Sequence, residues 1–296
     1  MLVTDPSTIQ ELRSTGVDVY DFSAISGSLR CPRYYQHRYE QGLALITAAP
    51  SYALEFGRSV HKSLEYWYEN RDDNKAILLF AKEFKPFEEQ PTLSPKTGKE
   101  LDATYTVRFG CSLLDAYFTK HRNDTYTLIQ NEIPVAEELV DGIFIAGRID
   151  KIIEQNNKIK FIDHKTSKYP DKYTLNPNPQ FFGYKYLCEK LTGKPVSGEL
   201  DMLGVSKSKD LTTLLRREPF DYTPWQVSQW QRSTVSHIEQ IRKWRADNFF
   251  PQYWNCKPFF HDCAFLPLCT LASEDAKESL VANLYKVEWW DAFAID

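Results

Sequence analysis

No run of 18 consecutive apolar residues occurs in this chain of 296 residues, so none of its segments is expected to cross a bilayer as a helix. The opening stretch MLVTDPSTIQELRS carries acids and lacks an apolar core, which sets it apart from a secretory signal. The expectation is a cytoplasmic protein with no membrane partner. Charge of one sign is not in large excess: a formal net charge of −4 gives no general attraction to nucleic acid, but leaves room for a local basic groove. Internal repeats and low-complexity segments are absent. Cysteine is sparse, with six residues, and inside a cell these serve as thiols or metal ligands rather than as disulfides.

What remains is the composition of a soluble globular protein, 42% hydrophobic and 26% charged. The length suffices for one large core, or a core with a helical elaboration. The most informative stretch is 144–166, FIAGRIDKIIEQNNKIKFIDHKT. Two apolar-rich runs, 144–153 and 158–162, flank Asn156 and Asn157. Asparagine tolerates positive φ, so a two-residue turn there closes a β-hairpin. That register sets Asp150 opposite Asp163, with Lys165 two residues on and on the same face. Carboxylates facing each other with Cβ atoms about 4.5–5.5 Å apart repel, and a cation between them relieves the repulsion. Oxygen donors suit Mg²⁺ or Mn²⁺. The same residues also read as a solvated hairpin face. Asp-x-Lys recurs at Asp73 and at Asp275, where an aspartate opening a helix is ordinary capping chemistry.

Periodicity and punctuation order the rest. Residues 23–29 read as a short helix, and Pro32 suits the first turn of another. Residues 53–70 form an amphipathic helix with Val60, Leu64 and Trp67 on one stripe. Residues 72–87 and 100–120 read as helices, the second carrying Cys111 as a buried inert thiol, with a loop at 91–98. Residues 125–137 are strand-like and supply the third strand that a stable sheet needs. After Asn176-Pro-Asn-Pro, residues 180–191 are helical. Residues 198–206 and 212–220 read as a strand pair joined by 207–210, 224–248 as a long helix, and 274–296 as a short helix with an aromatic end.

Several side chains on this frame carry chemistry. Gly57 lies one turn below His61, which permits close approach to a histidine that is either structural or a ligand. Arg30, Arg33, His37 and Arg38 interleave with Tyr34, Tyr35 and Tyr39, as in a surface for phosphates and bases, or in a helix face with its tyrosines turned inward. Lys207, Lys209, Arg216 and Arg217 make a second basic patch. Three cysteines fall within 256–269, and the others are Cys31, Cys111 and Cys188.

In order along the chain, Cys31-Pro-Arg-Tyr-Tyr, Gly57-Arg-Ser-Val-His61, Gly147-Arg-Ile-Asp150, Ile162-Asp163-His164-Lys165-Thr166 and the pair Gln180 and Tyr184 resemble the PD-(D/E)XK nuclease superfamily. They are most similar to its RecB-type exonuclease branch, which includes CRISPR-adaptation nucleases and related phage proteins. Ile149 stands where the family name has proline. The resemblance implies an α/β restriction-endonuclease-like core, a mixed central sheet flanked by helices, with helical and iron–sulfur-bearing elaborations. It implies one domain over 1–296, with the core at about 50–220. Segments 20–45 and 250–272 would be joined by a cysteine cluster.

By the same resemblance, Asp150, Asp163 and Lys165 are catalytic. His61, Asp150, Asp163 and the backbone carbonyl of His164 bind Mg²⁺ or Mn²⁺, while the His164 side chain points to the other face. Gln180, Tyr184, Arg33 and Arg58 are the expected DNA contacts. Cys31, Cys256, Cys263 and Cys269 would hold a 4Fe–4S cluster. The Cys256-x6-Cys263 gap departs from the more familiar Cys-x2-Cys start and keeps Zn²⁺ open as an alternative, with His261 nearby. The implied activity is a metal-dependent DNA nuclease, an exonuclease on single strands or duplex ends, in recombination, repair or CRISPR and phage DNA processing. Helicase, recombination or CRISPR proteins are the expected partners. The alternative is a non-catalytic DNA-binding or assembly subunit that keeps the fold.

Overall fold

The computed structural model describes residues 1–14, 16–47, 51–93, 100–101, 103–254, 256–257, 262–273 and 275–291. His261, most of the expected loop at 91–98 and the end of the chain lie outside them. The chain begins with β1 (Leu2–Val3), α1 (Pro6–Ser14), β2 (Asp18–Asp21), α2 (Phe22–Arg30), α3 (Pro32–Tyr35) and β3 (Leu43–Leu45). There follow α4 (Tyr52–Asn70), α5 (Asp73–Phe84), β4 (Thr92–Leu93), β5 (Glu100–Leu101) and α6 (Val107–His121). Next come β6 (Thr127–Val140), β7 (Ile143–Gln155), β8 (Lys158–Ser167), α7 (Pro179–Thr192), β9 (Val196–Gly204) and β10 (Leu215–Phe220). The last elements are α8 (Pro224–Ala246), α9 (Leu266–Cys269), α10 (Asp275–Leu284) and β11 (Tyr285–Val287). The fold is mixed α/β, with a central mixed sheet flanked by helices.

Contacts gather the chain into two compact units, Met1–Ala49 with Pro134–Arg148 and Pro224–Asp296, and Pro50–Ile133 with Ile149–Thr223. In the second unit the β7–β8 hairpin has the expected register, with Lys151 opposite Ile162 and Gln155 opposite Lys158. Asn156 and Asn157 take φ of 53° and 59°, the left-handed values that a two-residue hairpin turn requires. Strand β9 pairs parallel to β8, so that Asp163 neighbours Leu200 and Lys165 neighbours Met202, and β10 returns antiparallel to β9.

Helices α4, α5 and α6 bury their apolar faces together. Val60, Leu64 and Trp67 form the expected stripe of α4, and Trp67 stacks on Phe118 of α6 at 4.7 Å between ring centroids. Helix α6 starts at Val107, seven residues later than its periodicity suggested, because the Thr106 side chain accepts from the Phe109 amide and caps it there. Glu100 and Leu101 are instead a short strand against β4. Asp72 caps α5 in the same way, accepting from the Lys75 amide.

In the first unit β2 runs parallel to the start of β7, and Val3, Ile9, Ala136, Phe144 and Ala146 pack together. Arg242 of α8 holds this edge, donating to Asp18 Oδ2 at 2.6 Å and to the Gly142 carbonyl at 3.0 Å. A second small core forms where β3 and β11 pair, around Leu43, Phe265, Leu268 and Tyr285.

Gly110 marks the tightest point of the helical layer: a Cβ there would overlap the Phe80 ring and lie 3.0 Å from Phe56. Gly110→Ala should therefore destabilise the protein by about 1–3 kcal/mol through overpacking, read as a lower midpoint in urea unfolding.

Candidate active site

Helix α4 places His61 over the strand ends. Gly57, one turn earlier, leaves room for Thr166 of β8, whose hydroxyl would lie 3.1 Å from a Cβ at that position. His61 thereby reaches the hairpin: its Nε2 is 2.9 Å from the His164 carbonyl oxygen, to which it donates. Its Nδ1 is 3.6 Å from Asp150 Oδ2 and 3.8 Å from Glu132 Oε1. The His164 amide in turn donates to Asp150 Oδ2 at 2.7 Å. The main chain of His164 thus holds His61 with its carbonyl and Asp150 with its amide.

Glu132 was not read from the sequence. It lies in β6 with φ of 47°, a left-handed value unusual for a non-glycine strand residue. Next to it, Asn131 donates to the Glu65 carbonyl of α4 at 3.0 Å, tying β6 to the helix that carries His61. Nothing in the local pattern of β6 distinguishes this glutamate from the other acids on that strand.

Asp163 and Lys165 share a face of β8, as period-2 geometry requires. Lys165 Nζ lies 2.9 Å from Asp163 Oδ1 and 2.8 Å from Oδ2. Both Asp150 and Asp163 are buried, at 8% and 1% exposure, and burial pushes both carboxyls above their usual range. The Glu132 charge adds to this at Asp150, and the Asp150 charge adds to it at Asp163. Burial works against the charge on Lys165, but Asp163, Tyr173, Asp150 and Tyr184 together outweigh it and hold the amine above its ordinary value. Burial likewise opposes protonation of His61, yet Asp150 and Glu132 carry the ring up to about 9.

Donor atoms of His61, Glu132 and Asp150 all lie within 4.8 Å of one another. Ligands at about 2.1 Å from one octahedral ion are about 3–4 Å apart, so the 3.6 and 3.8 Å spacings fit a divalent cation without rearranging the backbone. One nitrogen and carboxylate oxygens are an apt set for Mg²⁺ or Mn²⁺. Of the other expected ligands, the His164 carbonyl accepts from His61, and Asp163 is outside this set with both oxygens against Lys165.

The side chain of His164 faces away, as expected. Its ring stacks on Tyr68 at 5.6 Å and an interplanar angle of 23°. Behind it, Arg217 donates to Asp201 Oδ2 at 2.8 Å, to Asp124 Oδ2 at 2.5 Å, and to the Tyr117 and Tyr68 hydroxyls at 3.0 and 3.1 Å. The expected basic patch is therefore split. Arg217 is committed to this network, Arg216 pairs with Asp171 at 2.7 Å, and Lys207 and Lys209 stay exposed.

The other predicted contacts are dispersed. Gln180 Nε2 donates to the Tyr184 hydroxyl at 2.8 Å, and that hydroxyl, buried and close to Asp163, is held well above its ordinary pKa. Arg58 is exposed on α4, 3.7 Å from Glu55. Arg33 belongs to the other unit, where its Nε donates to the Phe250 carbonyl at 3.0 Å.

That unit also brings together four reduced thiols. Cys31 joins α2 to α3, the Cys263 amide donates to the Cys256 carbonyl at 2.8 Å, and Cys269 ends α9. Burial pushes Cys263 and Cys269 up, the latter to about 11, and Cys31 and Cys256 add to both shifts. Arg30 beside Cys263 and Arg33 beside Cys269 oppose them. Four half-buried cysteines gathered in one unit are a donor set of the kind that takes iron–sulfur or zinc.

The profile of the PD-(D/E)XK nuclease superfamily matches residues 22–270. The crystal structure of a candidate exonuclease from Eubacterium rectale superposes with a TM-score of 0.53 at 12% identity, covering 95% of this chain and 99% of that one. At that identity the likeness shows a shared fold. SSO0001 (TM-score 0.34, 15% identity, 76% and 89% covered) and VC1899 from Vibrio cholerae (0.22, 12%, 54% and 49%) are too distant to argue from. A search of curated proteins finds no match.

The raised values at His61, Asp150 and Asp163 have one consequence for pH. Each group holds its proton more tightly when folded, so the stability it lends is fully present below its unfolded pKa and is lost as pH rises through the folded one. For His61 that window runs from 6.5 to about 9. Without divalent metal the melting temperature should fall across that window, and Mn²⁺ should raise it more at pH 9 than at pH 6.5. Glu132→Gln should lower the His61 pKa measured by NMR and weaken Mn²⁺ binding about tenfold or more.

Proposed function

The chain belongs to the PD-(D/E)XK nuclease superfamily, and on that premise we propose that it is a metal-dependent deoxyribonuclease acting as an exonuclease on single strands or duplex ends. The observation that carries this reading is the convergence of His61, Glu132 and Asp150 beside the Asp163–Lys165 pair. The Eubacterium rectale neighbour, itself named as a candidate exonuclease, supports the choice of exonuclease. The whole chain is taken as one nuclease domain with its core at about 50–220, cytoplasmic, and working in DNA recombination, repair, or CRISPR or phage DNA processing with helicase, recombination or CRISPR proteins.

His61, Glu132 and Asp150, with Asp163 and the His164 carbonyl as the other expected ligands, would hold Mg²⁺ or Mn²⁺. A cation there supplies Lewis acidity to a phosphoryl oxygen and activates water at neutral pH. The protein's own groups then divide the work. Lys165 stays an ammonium at neutral pH, so it stabilises negative charge developing on the phosphate and orients the attacking water, and does not take up a proton. Asp163 holds that ammonium in place by accepting from it. The His164 amide fixes the Asp150 carboxylate by donating to Oδ2, the oxygen that also faces His61. Gln180, Tyr184, Arg58 and Arg33 are proposed to contact DNA. Cys31, Cys256, Cys263 and Cys269 are proposed to hold a 4Fe–4S cluster that joins the segments at 20–45 and 250–272.

The test uses anaerobically purified protein with end-labelled single- and double-stranded DNA in Mg²⁺, Mn²⁺ or EDTA. Cleavage should require metal and proceed from an end. Asp163→Ala and Lys165→Ala should each lower it by at least about a hundredfold, with circular dichroism showing each variant still folded at the assay temperature. Near-normal cleavage in either variant would remove that residue from the mechanism. The same preparation should contain about four iron and four sulfide per chain. Zinc in their place would assign the thiols to the other metal.

A further inference from the structure

The catalytic strand β8 runs on into a basic cleft that the chemistry above does not use. Ser167 ends β8, and the Val205 amide continues the parallel pairing by donating to its carbonyl at 2.8 Å. Just past that point a cleft of about 270 Å³ opens, lined by Lys168, Lys207, Lys209, Tyr169, Ser206 and Thr104 among others, with no carboxylate among its described lining. Lys168 is three residues beyond Lys165, so the backbone at the start of the cleft lies about 10 Å along the chain from that of Lys165.

The lysines here are held free of acids. Lys207 and Lys209 are exposed and make no ion pair among the described residues, and Lys168 lies over the Tyr105 ring at 4.5 Å. The nearby acids are turned to other partners. Asp171 accepts from Arg216 at 2.7 Å, and Asp210 accepts from the Thr212 amide at 2.8 Å. Three ammonium groups around so small a volume repel one another, and a polyanion relieves that repulsion. Tyr169, at the lip, is 65% exposed, with Lys172 against its ring at 4.8 Å. A row of cations beside an open aromatic face is the combination that tracks a nucleic-acid backbone and stacks an unpaired base.

We propose that this cleft binds single-stranded DNA, with Lys168, Lys207 and Lys209 on consecutive phosphates and Tyr169 under a base, and so feeds the strand to the centre at Asp163 and Lys165. The inference rests on the nuclease reading for its destination, but the binding does not. A single strand fits better than a duplex because the Tyr169 face is open and a base must be unpaired to lie on it.

The experiment measures binding of the full chain to a fluorescent single-stranded oligonucleotide in EDTA over a salt series, alongside Mn²⁺-dependent hydrolysis of the oligonucleotide and of bis(p-nitrophenyl) phosphate. The latter is too small to span the cleft. Lys168→Ala, Lys207→Ala and Lys209→Ala combined should weaken binding more than tenfold and lower the salt slope by about 2, from about 0.7 per lost phosphate contact. The triple lysine-to-arginine form should keep the wild-type slope. Tyr169→Ala should weaken binding about tenfold with the slope unchanged. In the triple alanine variant KM for the oligonucleotide should rise while hydrolysis of the small diester stays the same. Wild-type affinity in either the triple alanine variant or Tyr169→Ala overturns the assignment, as does loss of binding in the arginine form. A wild type that binds through these residues but hydrolyses neither substrate would leave the cleft in place and defeat the nuclease reading alone.

Discussion

Two carboxylates buried in one hairpin, Asp150 and Asp163, set the terms for everything around them. At 8% and 1% exposure they lack the solvent that would normally screen their repulsion. Burying an unpaired charge costs several kcal/mol, so each must find positive charge or hydrogen-bond donors. The structure supplies these from three directions. Lys165 lies against Asp163 on the same strand, the His164 amide meets Asp150 from the neighbouring position, and His61 comes down from α4 as a protonated ring. Glu132 adds a third acid and makes the deficit of cation larger. In the protein without metal, a proton on His61 meets part of that deficit. A divalent ion would meet it more fully, which would couple metal binding to proton release and to stability.

That arrangement depends on β8 being held rigidly, and the opposite face of the strand provides for it. The His164 ring is stacked on Tyr68, and Arg217, Asp201, Asp124, Tyr117 and Tyr68 form a continuous hydrogen-bonded network behind it. Because the His164 backbone contacts both His61 and Asp150, whatever fixes its ring also fixes the spacing of two of the donors. A buried network of this kind is useful only when its members are satisfied, and the four hydrogen bonds of Arg217 go far toward that. The four thiols gathered in the other unit are a separate matter of assembly: Cys31 adds to the upward shift of Cys269, far along the chain. A group held by all four would close a very long loop.

Much of this was legible in the sequence because it depends on near neighbours. Two asparagines with left-handed φ were enough to fix the turn, and the turn fixed which residues of β7 and β8 face each other. Strand alternation then placed Asp163 with Lys165 and sent the His164 side chain to the other face. Helical periodicity put Gly57 beneath His61 and Val60, Leu64 and Trp67 in the core. Where local pattern misled, a cap was responsible. The apolar spacing of 100–120 continued across Thr106, but the hydroxyl there ends one backbone conformation and begins another.

The rest lay outside what pattern can carry. Glu132 joins the site because β6 takes a left-handed conformation at that residue and Asn131 reaches across to α4, and neither feature marks the glutamate out from its neighbours in sequence. Arg216 and Arg217 looked like one patch with Lys207 and Lys209, yet adjacent residues on a strand point to opposite faces, and one of the two arginines is spent in the interior. The sequence by itself determined the hairpin and its register, since these follow from φ preferences and period-2 spacing within a few residues, and it carried the family in the order of its motifs. Only the tertiary structure decided which acid completes the donor set and which cations remain free for a ligand, because both depend on partners far along the chain that meet only after packing.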